Sequence, residues 1–105
     1  MEHEEVIAMV KEMGLPFAYD HFAEGESPNP PFICFLYPNS HNFSADGLVY
    51  HKANALHIEL YTDLKEPKTE ETVEAVLDAH GIYYDKSEVW IDSENLYEVL
   101  YRMEV

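Results

Sequence analysis

Charge is distributed along this chain in a way that restricts what it can fold into. Twenty-one acidic residues face six basic ones, a formal net charge of −15 over 105 residues, yet residues 27–45 contain no Asp, Glu, Lys or Arg. A chain this acidic stays disordered unless it can bury enough apolar surface to offset its ordering entropy. Here 47% of residues are hydrophobic and 13% aromatic, which predicts a folded chain. The acid is then a surface property, and the uncharged stretch is either buried or in contact with something.

The length predicts a single domain spanning residues 1–105. Its core would be thin, so association with other copies would help it. No run approaches the ~20 apolar residues of a membrane helix. The opening Met1-Glu2-His3-Glu4-Glu5 is acidic where a secretory signal would be basic, so neither export nor a membrane partner is expected. The bases Lys11, Lys52, Lys65, Lys68, Lys86 and Arg102 are scattered and form no patch. Nucleic-acid binding needs clustered cations to neutralise phosphates, so no direct nucleic-acid partner is expected. The single cysteine, Cys34, lies in the apolar run Phe32-Ile33-Cys34-Phe35-Leu36-Tyr37 and reads as a buried, reduced thiol.

Periodicity predicts two helices and a sheet. Over residues 2–13, Val6, Ile7, Val10 and Met13 recur at helical spacing, with Gly14 and Pro16 as stop signals. Residues 17–22 read as a strand with Phe17, Tyr19 and His21 on one side. Residues 24–31 form a proline-rich connection. Residues 32–37 read as a strand covered on both faces, near the sheet centre. Asp46-Gly47 predicts a tight turn in a hairpin over residues 42–50. From 56 to 61 the alternation places Leu56, Ile58 and Leu60 inward and His57, Glu59 and Tyr61 outward.

Residues 67–80 read as the second helix, with a stripe of Val73, Val76, Leu77 and His80 and with Glu70, Glu71, Glu74 and Asp78 solvated. Strand segments follow at 82–85 and 88–91, with a polar turn at 92–95. Residues 96–105 fit either period; their aromatic and β-branched content favours a strand. The expected fold class is α+β. Two helices pack on one face of a mainly antiparallel mixed sheet, in the order α-β-β-β-β-α-β-β.

The chain carries little that reads as catalysis. Six histidines (His3, His21, His41, His51, His57 and His80) show no i, i+4 pair on a helix and no His-Glu-x-x-His, though His51 and His57 would approach each other if their strands paired. There is no calcium loop, nucleophile elbow or Gly-rich phosphate loop. No catalytic residue, metal ligand or cofactor is expected, and the chain reads as a non-enzyme. Two features remain as interaction candidates. One is the uncharged loop at 38–43, with Pro38, Asn39, His41, Asn42 and Phe43 as interface residues; a loop phenylalanine between polar residues suits an anchor. The other, weaker, is the group Tyr83, Tyr84, Tyr97 and Tyr101.

The order of segments resembles a family. Met13-Gly14-Leu15-Pro16-Phe17-Ala18-Tyr19 is followed by His21-Phe22-Ala23-Glu24 and Pro31-Phe32-Ile33. Then come Asn42-Phe43-Ser44-Ala45-Asp46-Gly47-Leu48-Val49-Tyr50, Ile58-Glu59-Leu60-Tyr61-Thr62 and Val73-Glu74-Ala75-Val76-Leu77. The chain closes with Leu96-Tyr97-Glu98-Val99-Leu100-Tyr101 and Glu104-Val105. Together they look like small head–tail joining proteins of siphophages and prophages. The resemblance implies a tail-completion or tail-terminator protein forming a homo-oligomeric, hexameric ring on the tail tube. Its implied partners are the major tail protein and head-connector proteins, with DNA passing through the ring. Its implied location is the host cytoplasm during assembly and then the virion. The alternative class is an acidic inhibitor or DNA mimic that occupies a basic partner protein.

Overall fold

The structure, a computed structural model, describes the backbone of residues 1–38, 40–45 and 48–105 and the side chains of residues 1–38 and 54–105. Helix α1 (His3–Glu12) and strands β1 (Phe17–Tyr19), β2 (Phe32–Leu36), β3 (Ser40–Ala45) and β4 (Leu48–Thr62) precede helix α2 (Pro67–Ala79). Strands β5 (Tyr84–Ile91) and β6 (Leu96–Glu104) follow it. The sheet order is β1-β2-β4-β6-β5, with β3 paired to β4 outside this path. Among the described pairings, β1–β2 is parallel and the others are antiparallel. This is the α+β architecture, element order and mixed sheet that the periodicity predicts.

One face of the sheet carries the core. Ile33 and Phe35 of β2, Leu56, Ile58 and Leu60 of β4, and Val99, Tyr101 and Met103 of β6 pack under Val6, Met9, Val10 and Met13 of α1 and Val73 and Leu77 of α2. Both helices therefore lie on the same face. The alternation at 56–61 is as read: Leu56, Ile58 and Leu60 are fully buried, and His57, Glu59 and Tyr61 lie half-buried on the other face. Helix α2 stops at Gly81 (φ 69°), where a left-handed backbone lets Ile82 N–H reach Leu77 O at 3.1 Å.

Strand β4 is the spine. Its first half, from Leu48 to Asn54, pairs with β3; its second half, from Ala55 to Thr62, is held between β2 and β6. The hairpin is thus one arm of a 15-residue strand that the alternation at 56–61 only half reveals. Its turn at Asp46 and Gly47 lies outside the described residues.

Four readings need correction. The first strand ends at Tyr19 and does not run to Phe22. Asp20 turns the chain with φ 66° and gives its N–H to Phe35 O at 2.6 Å, so His21 is not on the strand. The segments at 82–85 and 88–91 are one strand, Tyr84–Ile91, because β6 pairs along its whole length. Residues 41–43 are strand β3, not loop, by their register with β4. Glu70 is not solvated: it is 3% exposed, at the i−3 and i−7 spacing from Val73 and Leu77 that puts it on the buried stripe. The final segment is a strand, as its aromatic content favours.

Candidate interaction surface

Of the predicted interface residues, the structure describes the backbone of Pro38, His41, Asn42 and Phe43. Pro38 is exposed just beyond β2. Asn39 lies outside the described residues. His41, Asn42 and Phe43 sit on β3 opposite Ala53, Lys52 and His51, and their side chains lie outside the described residues. The arm therefore presents residues 41–43 from a ribbon projecting beyond the main sheet. A two-stranded ribbon is marginal in water without something to cover it.

The tyrosines divide. Tyr101 is fully buried, its hydroxyl donating to Glu74 Oε2 at 2.8 Å. Tyr84 meets it edge-on at 5.5 Å. Tyr97 packs on Trp90 at 4.7 Å. Tyr83 stands free at 85% exposure.

The histidines are dispersed. His3 Nδ1 hydrogen-bonds the Tyr37 hydroxyl at 2.8 Å, His21 pairs with Asp20 at 2.7 Å, and His80 pairs with Glu12 at 2.8 Å. The expectation that His51 and His57 approach across paired strands fails, because both lie on β4 itself. Among the described residues, no group of three or more His, Cys, Asp or Glu is arranged to hold a metal ion. Burial, then Glu59, pushes the Cys34 thiol up to about 11, so at neutral pH it is not a nucleophile.

The sheet face opposite the helices carries a carboxylate cluster that sequence reasoning missed. The Tyr61 hydroxyl lies 3.1 Å from Glu59 Oε1 and 3.2 Å from Glu98 Oε2. Burial and then Glu98 push the Glu59 carboxyl above its ordinary value, against the hydrogen bond from Tyr61. One phenolic proton cannot serve two carboxylates at once. Alternation alone places Glu59 beside Tyr61; only the β4–β6 register brings Glu98 to them.

A raised carboxyl pKa stabilises the fold below the unfolded value near 4.5, and that contribution is lost as pH rises through the folded value. Glu59→Gln should therefore raise the melting temperature at neutral pH. The gain should shrink as pH falls through the carboxylate range, as read by thermal unfolding across pH.

A cleft of about 520 Å³ lies where β5 begins, lined by His57, Tyr83, Asp85, Arg102 and Glu104 among others. Burial and then Arg102 hold His57 below its ordinary value. The cleft is open and polar, and no nucleophile–base pair is formed there. What the described surface offers is contact, through an edge at β5 that bears Tyr83, Val89 and Trp90.

No protein-family profile and no curated protein matches the sequence. The fold, however, has a solved counterpart. The chain is similar to a component of the virion of a native gene transfer agent particle, with a TM-score of 0.63, 10% identity, and coverage of 91% of this chain and 81% of that one. At that identity the likeness is one of fold.

Proposed function

We propose that the protein is a structural component of a phage-type virion, placed at the head–tail junction, where several copies close a ring on the tail tube as a tail terminator. The observation that carries this reading is the near full-length fold likeness to a component of a gene transfer agent virion. The sequence resemblance to head–tail joining proteins agrees with it. In this reading the protein is not an enzyme. Its partners are its own copies, the major tail protein and the head connector, and the β3–β4 arm is the element that reaches a neighbour.

The inhibitor reading would want acid in spaced rows on one face. The exposed acids are spread instead over α1 (Glu4, Glu5, Glu12), α2 (Glu71, Asp78) and β5 with its turn (Asp85, Asp92, Glu94), which suits a solvated surface.

Negative-stain imaging of the protein incubated with purified tail tubes should show rings of about six subunits at one tube end. A chain that ignores tail tubes and instead competes with DNA for a basic protein would sink the proposal.

A further inference from the structure

Strand β5 lies at one edge of the sheet, opposite β1 at the other, and six consecutive residues of it, 85–90, are exposed. An edge of this length presents unpaired backbone donors and acceptors, and folded proteins normally blunt it with proline, bulges or charged side chains. β5 contains no proline. Val89 is 53% exposed and Trp90 42%, and Tyr83 stands just before the strand. Lys86 pairs with Glu70 and Glu74, and Glu88 with Lys65, yet both side chains stay more than a third exposed.

The sequence of this edge complements itself. Two copies paired antiparallel about a two-fold axis must place some residue opposite its own image. With Ser87 on the axis, Lys86 faces Glu88 of the other copy and Glu88 faces its Lys86. Tyr84 then faces Trp90 on the same sheet face, and Asp85 faces Val89. Opposite charges and aromatic pairs directly across strands are favourable, and like charges are unfavourable. Moving the axis by one residue in either direction sets Lys86 against Lys86 or Glu88 against Glu88. The small residue on the axis and the two reciprocal ion pairs select one register.

We propose that the free protein forms a two-fold dimer through antiparallel pairing of β5 edges centred on Ser87, continuing the sheet across both copies. The occupant of the edge is a second copy, because with Ser87 on the axis the charge order of the strand complements itself while a one-residue shift either way sets like charges together. The inference does not rest on the virion reading.

The test is sedimentation of the intact chain, together with oxidative cross-linking of Ser87→Cys in a Cys34→Ala background. Dimerisation should give twice the 12.2 kDa chain mass. Directly opposed strand residues lie about 5 Å apart, within disulfide reach. Ser87→Cys should therefore cross-link at least tenfold faster than Asp85→Cys, whose two thiols would be held about 13 Å apart along the strand. A monomer, or equal slow cross-linking at both positions, overturns the inference. Rings without a preferred link at 87 overturn it as well while leaving the virion reading intact.

Discussion

Replacing Lys65 and Lys86 together by alanine should cost about 3 kcal/mol of stability at neutral pH. Glu70 is 3% exposed and is held by Lys65 Nζ at 2.6 Å and Lys86 Nζ at 2.8 Å. Burial alone would raise its carboxyl, but the two lysines outweigh this and hold it below its ordinary value. Burial likewise opposes the charge on Lys86, yet Glu70 and Glu74 push it up to about 12.

Either lysine alone leaves Glu70 one partner, and both side chains are more than a third exposed, so each single replacement should cost only about 1 kcal/mol. The double replacement strands a buried charge. A lowered carboxyl pKa gives stability above the unfolded value near 4.5 that is lost as pH falls through the folded value. The double variant lacks that contribution. The gap between it and the wild type should narrow on acidification, and Glu70→Leu in the double background should recover much of the loss. Urea unfolding at several pH values reads both. A gap that does not change with pH would mean the lysines act through packing alone.

Phe35→Ala should be costlier still, about 3–5 kcal/mol. Phe35 is 1% exposed and packs within 6.5 Å of the rings of His3, Phe17, Tyr19 and Tyr37. It joins β1 and β2 to the start of α1, so the cavity left behind cannot easily collapse. A domain of this size has about 5–15 kcal/mol in total, so the variant should sit near the edge of folding. Denaturant midpoints measure it, with an unchanged slope showing that the compactness of the two states is preserved. Val89→Ala, at an exposed position of β5, should change stability by less than about 0.5 kcal/mol. A Phe35→Ala loss as small as that would mean the aromatic cluster is not part of the core.

Much of the fold is legible in the chain because it depends on short-range pattern. The 3.6 period gives α1 and α2, with Gly14 and Gly81 at their ends. The two-residue period of Leu56, Ile58 and Leu60 gives the buried face of β4. The unbroken apolar run at 32–37 gives a strand covered on both sides: Ile33 and Phe35 lie beneath α1, while Phe32 stacks on Tyr61 and meets Phe22.

The candidate site was only partly legible. The uncharged 38–43 segment drew attention to the arm, but its strand character follows from pairing with β4. The ion network around Glu70 needed the approach of α2 to β5, and the reading of Glu70 as solvated passed over its i+3 and i+7 spacing to Val73 and Leu77.

By itself the sequence determined that this acidic chain folds, that its order is α-β-β-β-β-α-β-β, and which residues alternate inward, because those depend on residue type and spacing along the chain. Only packing across the sheet brings Lys65 and Lys86 to Glu70, sets Tyr61 between Glu59 and Glu98, and leaves β5 at an edge. Each of these depends on which distant strands become neighbours, and strand order and register are set by packing across the whole sheet.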